Sequence, residues 1–362
     1  MQTSPTSSYS QVTNRSKRGG IAVGASTQST LQRFSTLCLS LALLCYGLMV
    51  LGGLVRVTDS GLSCPDWPMC FGQAVPTMDI QIFLEWFHRL IALILGLGVV
   101  MATFQVLRSS LLRSLFVKEL TFSIFIFLIQ CILGGLTVLK LLDPSIVSMH
   151  LGNALLFFSL ILLLWRKSAA LSSRTLVPNE LPISARSALK STEFLWFRRL
   201  FVISALLLFC QMFLGAMVST NHAGLACPDF PKCHGQWLPP YSFFVWIQVW
   251  HRFLAYLVFC SVLSLTFWSR KASIRMLLPE LSRWAFAILP LGLALQVTLG
   301  VFNIYAGLPL LVRVAHLANG IFLFASLFVA FISLHYKMSE NVACLSSGEP
   351  ATKAELGGKF VV

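Results

Sequence analysis

The chain has 362 residues, 56% of them hydrophobic and only 11% charged, with a mean hydropathy of +0.79. A soluble globular protein carries about 25% charged residues, so an ordinary aqueous surface is excluded and lipid bilayer is the expected solvent. The net charge of +14 would suit nucleic acid if it were clustered, but its distribution along the chain argues against that.

Residues 1–32 are rich in Ser and Thr, and no acidic residue precedes Asp59. A transit peptide has this composition, and so does a disordered tail. A membrane span needs about 20 largely apolar residues, and eight segments qualify: Phe34–Val55, Phe83–Val106, Leu120–Leu139, Ser145–Trp165, Leu200–Val218, Val245–Trp268, Trp284–Tyr305 and Leu311–Leu334. The stretch 167–197 has Ser, Pro and charge in place of apolar periodicity and reads as a linker; 337–362 reads as a second disordered tail. Two membrane units remain, 33–166 and 198–336. Between spans the basic residues alternate strictly. Twenty-one of the 27 fall on the side of the two termini, and only Arg56, Arg89, Lys140, Lys232, Arg252 and Arg313 fall on the other. The positive-inside rule places both termini in the cytoplasm. The basicity is a topology signal, and no nucleic-acid partner is expected.

The chain repeats itself. Gly61-Leu62-Ser63-Cys64-Pro65-Asp66-Trp67-Pro68-Met69-Cys70 returns 163 residues later as Gly224-Leu225-Ala226-Cys227-Pro228-Asp229-Phe230-Pro231-Lys232-Cys233. His88-Arg89 and His251-Arg252 keep this offset; at 166 residues Gln130 matches Gln296, Gly134 matches Gly300, and His150 with Asn153 matches His316 with Asn319. Four spans per repeat leave both copies in one orientation. The expected fold is therefore an all-α integral membrane protein of two duplicated four-helix bundles, related by a pseudo-two-fold axis along the membrane normal.

Four of the seven histidines, His88, His150, His251 and His316, open the even-numbered spans. All four then lie at one depth just beneath the outer interface, two per bundle. Paired imidazoles in an apolar bundle suit the two axial positions of a heme iron. The donor set does not suit zinc, which takes four protein ligands or three plus water. No Cys-x-x-Cys-His occurs, so non-covalent, b-like hemes are expected. Arg89 and Arg252, next to two of these histidines, are placed either to pair with heme propionates or to snorkel to the interface.

Cys64 and Cys70 flank a Pro-Asp-Trp-Pro turn on the outer side, and Cys227 and Cys233 flank the matching Pro-Asp-Phe-Pro. Disulfides clamping each loop are one reading in an oxidising compartment; redox exchange at the first pair is another. The copies differ three residues before the first histidine of each, where Glu85 faces Gln248. A carboxylate one turn from a heme ligand shares its helix face and can take protons or stabilise a developing cation, which an amide cannot. The first half is thus the expected reactive site. The second half carries extra loop histidines, His222 and His234, in place of Asp59 and Phe71.

Glu85-Trp86-Phe87-His88-Arg89, the Cys-Pro-Asp-Trp-Pro-x-Cys loop, the four span-opening histidines and the eight-span duplication together resemble the heme A synthase family, from about Phe34 to His335. The resemblance implies oxidation of a methyl group of heme O to a formyl group, through an alcohol, giving heme A for terminal oxidase assembly. It implies a substrate heme between His88 and His150, Glu85 as the catalytic carboxylate, and a resident heme b between His251 and His316. The cysteine pairs, Cys64–Cys70 and Cys227–Cys233, match the mainly prokaryotic branch, which favours a cell inner membrane over an organelle-targeting peptide. Implied partners are the bilayer, the heme O synthase that supplies substrate, an electron donor or acceptor, and a second copy of the chain. The rival function is a bis-heme b cytochrome passing electrons from quinol, with Glu85 as the quinol's proton acceptor.

Overall fold

The computed structural model describes residues 25–173, 187–189, 191–240 and 242–346. The expectations for the first tail up to residue 24, for linker residues 174–186 and 190, and for the end of the second tail lie outside the described residues. Eight long helices carry the architecture: α1 (Ala25–Val57), α2 (Ile80–Arg108), α3 (Ser110–Leu139), α4 (Pro144–Ser172), α5 (Thr192–Thr220), α6 (Phe243–Ser269), α7 (Glu280–Tyr305) and α8 (Leu310–Ser346). All eight are long and apolar enough to cross a membrane, and the chain is a multi-pass membrane protein.

The sequence sets the helix limits through its capping residues. Asp79 accepts the Gln81 and Ile82 N–H groups to start α2, and Asp143 accepts those of Ser145 and Ile146 ahead of Pro144 to start α4. Each relieves N–H groups that have no partner inside the helix. Ser109 both ends α2 and caps α3 through the Leu112 N–H, so the inner turn there is one residue long. At the ends of α3 and α7 the chain reverses identically. Leu142 donates to Thr137 O and Leu308 to Asn303 O, each at 2.8 Å and each with positive φ, a left-handed helix stop.

Several helices outrun the expected spans. α1 begins at Ala25 because Leu31 and Phe34 are buried, Phe34 lying 4.9 Å from Phe116. α4 continues past residue 166 because Lys167 is held by Glu119 at 2.5 Å and by Leu115 O, with Ser168 fully buried. α5 starts at Thr192 with Phe194 and Phe197 buried. The polar residues that read as linker are thus partly helix, satisfied at the inner face.

In the first half each helix packs on the next and α1 closes on α4; the second half repeats this from α5 to α8. The halves meet through α1, α4, α5 and α8, and α4 and α8 are the most buried spans. Small residues allow this. A methyl group added at Gly53 would lie 2.3 Å from Leu317 Cδ2, one at Gly152 3.1 Å from Phe213, and one at Gly320 2.8 Å from Met212 Sδ. Without a hydrophobic drive between helices in lipid, such close approach supplies the attraction. Tyr46 donates to Ala318 O at 3.2 Å, and the Ser148 and Thr220 hydroxyls are 3.2 Å apart across the same seam.

The core is unevenly distributed along the bundle axis. Its fully buried large side chains, Phe116, Leu164, Phe197, Phe201 and Leu265 among them, come from the inner ends of the helices. Phe201 and Phe286 rings lie 5.4 Å apart there. At the other end the helices carry glycines and histidines, and two loops fold over them.

Candidate functional site

Each cysteine loop is built around one aspartate. Asp66 accepts the Phe71 and Gly72 N–H groups at 2.6 and 2.8 Å, and Asp229 accepts those of His234 and Gly235 at 2.7 and 2.8 Å. The bond from Gly72, reinforced by those from Phe71 and the aspartate's own backbone and by the nearby Arg89, holds the Asp66 carboxyl below the ordinary range. Gly235, His234 and Arg252 do the same for Asp229. Phe71, Gly72, His234 and Gly235 all have positive φ, so the loop turns back and Cys70 pairs with Gln73 as Cys233 does with Gln236. Cys64–Cys70 and Cys227–Cys233 are disulfides, each with Cα atoms 4.7 Å apart.

The loops are tied to the bundle by the two arginines that follow histidines. Arg89 donates to Asp66 O at 2.7 Å, Met69 O at 2.5 Å and Cys64 O at 3.3 Å. Arg252 donates to Asp229 O at 2.6 Å, Cys227 O at 2.8 Å, and Lys232 O. These loop contacts stand beside the two roles considered for the arginines, propionate pairing and snorkelling. Their guanidinium groups reach up into the loop, whose curled backbone presents several carbonyls at once. Trp67 covers the bundle mouth so closely that a methyl group at Gly135 would lie 3.2 Å from its indole.

Glu85 is 5% exposed. One oxygen accepts the Cys64 N–H at 2.8 Å and the other meets Arg89 at 2.5 Å. Gln248, equally buried, reaches only Gly224 O at 3.3 Å, and its own oxygen is buried without a partner. The first half therefore places an ion-paired carboxylate one turn above His88. The second half has an amide above His251.

The four histidines come together as expected in pairs. His150 is an electrostatic neighbour of His88, and His316 of His251. All four rings lie deep among the helices yet keep some accessible surface. Each ring rests on a glycine of the preceding helix. A methyl group at Gly134 would lie 3.3 Å from His150 Cε1, at Gly215 3.1 Å from His251 Cε1, and at Gly300 3.2 Å from His316 Cε1. At Gly52 it would lie 3.0 Å from His88, but from Nε2. A Cβ at any of the four would push the ring.

One turn before three of these glycines stands a glutamine. Gln130 Nε2 is 3.2 Å from both ring nitrogens of His150, Gln211 Nε2 is 3.1 Å from His251 Nδ1, and Gln296 Nε2 is 3.2 Å from His316 Nε2. Asn153 and Asn319 fix two of them by donating to Gln130 Oε1 at 2.8 Å and Gln296 Oε1 at 2.7 Å. The sequence holds this cradle in plain form: Gln130, Gln211 and Gln296 each begin Gln-x-x-Leu-Gly, and Leu48 begins the fourth copy, Leu-x-x-Leu-Gly52. Sequence reasoning paired Gln130 with Gln296 and Gly134 with Gly300 but missed Gln211, Gly52 and Gly215. Comparing single helices, not only halves, would have found them.

The extra loop histidines do not form a metal centre; among the described residues no group of three or more His, Cys, Asp or Glu side chains could hold an ion. His234 contacts Ala226 O at 3.0 Å, and His222 lies 3.4 Å from Arg56. Two imidazoles with no third ligating side chain among the described residues are a donor set that would suit a heme iron, and His88, His150, His251 and His316 are the residues that would hold it.

A family model described as cytochrome oxidase assembly protein matches residues 35–328. A protein named heme A synthase from Shewanella oneidensis is 29% identical over 338 residues, 81% of this chain and 94% of its own. One from Shouchella clausii is 29% identical over 230 residues, 62% and 71% of the two chains. One from Bacillus licheniformis is 28% identical over 275 residues, 73% and 84%. With the match running from within α1 through α7 and into α8, the chain belongs to the heme A synthase family of cytochrome oxidase assembly proteins.

Proposed function

We propose that this protein oxidises a methyl group of heme O to the formyl group of heme A, with the substrate between His88 and His150 and a resident heme b between His251 and His316. The observation that carries this reading is a chemical difference between the two corresponding sites, Glu85 against Gln248. The bound heme iron supplies the redox chemistry. The chain's own residues position the substrate and handle charge. His88 and His150 set the depth and plane of the porphyrin, and Gly52 and Gly134 leave space against their rings. Glu85 is fixed by the Cys64 N–H and Arg89, so its carboxylate is oriented before substrate arrives; it takes up protons or stabilises positive charge as the methyl carbon is oxidised. The Cys64–Cys70 loop, clamped by Arg89, closes the water-facing end. Apolar outer surfaces of the bundle give the isoprenoid tail of heme O a lipid path to the site.

The basic residues support cytoplasmic termini and Cys loops on the outer face of a cell inner membrane. The repeated loop, arginine and histidine contacts support reading the halves as copies. Heme O synthase as supplier, an electron partner and a second copy of the chain belong to the same proposal.

The test is extraction and chromatography of the hemes from purified protein made with and without a heme O supply. Heme A or its hydroxylated precursor appearing only with that supply supports the synthase reading. Heme b alone in both cases, two per chain, overturns it.

A further inference from the structure

Three of the four histidines rest in a glutamine–glycine cradle, and the fourth does not. Leu48 occupies in α1 the place that Gln211 occupies in α5, one turn before the glycine that meets the ring. Among the described residues His88 has no hydrogen-bond partner, whereas His150, His251 and His316 each have an amide. The ring orientation differs as well. His150, His251 and His316 turn Cε1 to their glycines, with Nδ1 the next nearest ring atom; His88 turns Nε2 itself onto Gly52.

Gln211 differs from the other two glutamines in one respect. Its Oε1 is buried and has no partner, while those of Gln130 and Gln296 are held by asparagines. A half-turn of its amide therefore breaks no bond to Oε1 and brings that oxygen to His251 Nδ1. An imidazole that ligates a metal through Nε2 carries a proton on Nδ1, and a carbonyl accepting that proton fixes the ring and raises its basicity.

Resting on the heme reading above, we propose that the residue one turn before the cradle glycine decides which heme stays and which exchanges. Gln211 locks His251 as a permanent ligand, and Leu48 leaves His88 free to release, so that substrate enters and product leaves at the His88 side of the first pair. Gln211 and Leu48 are positioning residues: they act through the histidines.

The test uses the holoprotein in detergent with excess apomyoglobin as heme acceptor, followed by absorbance. Heme leaves the wild type in a fast and a slow phase. Leu48→Gln slows the fast phase by about 10–100-fold, and Gln211→Leu speeds the slow phase by a similar factor, the usual effect of a partner hydrogen-bonded to a ligand. A packing effect alone would not order the reduction potentials. Loss of the acceptor in Gln211→Leu makes His251 less basic and raises the potential of the second heme only, and Leu48→Gln lowers that of the first. Unchanged rates and potentials in both variants overturn the proposal. His88→Ala separates the two levels. If it removes the fast phase while Leu48→Gln leaves that phase unaltered, the heme assignment stands and only this proposal falls. If it removes neither phase, the assignment falls too.

Discussion

Gly215→Ala separates the stability of the helices from the integrity of the site. Alanine is worth about 1 kcal/mol more than glycine in a helix interior, so α5 itself gains. The new Cβ would lie 3.1 Å from His251 Cε1, against an ordinary carbon contact of about 3.5–4.0 Å. The ring must retreat by roughly 0.4–0.9 Å, at or beyond the ~0.5 Å that a functional constellation tolerates. Gly47→Ala is the control, because a methyl group there meets nothing within 4 Å. Both variants should resist thermal unfolding at least as well as wild type before heme is added. Gly215→Ala should then hold the second heme about 10–100-fold more weakly, with loss of its low-spin absorption bands, while Gly47→Ala binds normally. Full heme content and an unaltered spectrum in Gly215→Ala would refute the claim that the glycine exists to seat the imidazole.

Three further outcomes follow from the same contacts. Glu85→Gln should abolish formyl production with heme still bound, because the amide oxygen can keep the Cys64 N–H while the charge is lost; Gln248→Glu should be nearly silent, and equal loss from both would contradict a single reactive half. Arg252→Met removes three bonds to loop carbonyls, which at roughly 1.5–3 kcal/mol each before non-additivity should free the Cys227–Cys233 loop, read as faster amide exchange at Cys233 and Gln236; unaltered exchange would show that the disulfide alone holds the loop. Asp66 is held below its ordinary pKa by the Gly72 and Phe71 N–H groups. Its contribution to loop order is therefore present above the ordinary carboxyl range near ~3.9 and lost as pH falls through the lowered folded value. Reduction of Cys64–Cys70 by a phosphine should accelerate on acidification below that range, and Asp66→Asn should be faster than wild type already at pH 7; equal rates at pH 7 would contradict the role of the carboxylate.

Much of the architecture was legible because it rests on patterns the bilayer enforces. Span number follows from apolar length, and the repeat is carried by residues that are costly in lipid, such as His88, Gln130 and their copies. The helix ends were less legible. Lys167 and Thr192 look like linker in composition, and only the partner of Lys167, Glu119 on another helix, makes helix the satisfied state there. The loop contacts of the arginines were illegible for a related reason. Proximity to His88 and His251 suggested heme propionates, whereas the carbonyls that Arg89 and Arg252 bind become convergent only once Asp66 and Asp229 have curled the loops. The role of the glycines was invisible, even where Gly134 and Gly300 stood out as a repeat, because a glycine in an apolar helix carries no chemistry of its own. Its meaning lies in what stands opposite, and that requires the paired helix.

The central claim is that the two histidine pairs hold different hemes. The measurement that tests it most directly is the heme content of His88→Ala/His150→Ala and His251→Ala/His316→Ala proteins made with a heme O supply, resolved by chromatography. The account predicts that the first variant keeps heme b and lacks heme O and heme A, and that the second retains the O- and A-type hemes while losing heme b. Equal loss of both kinds from either variant would contradict it.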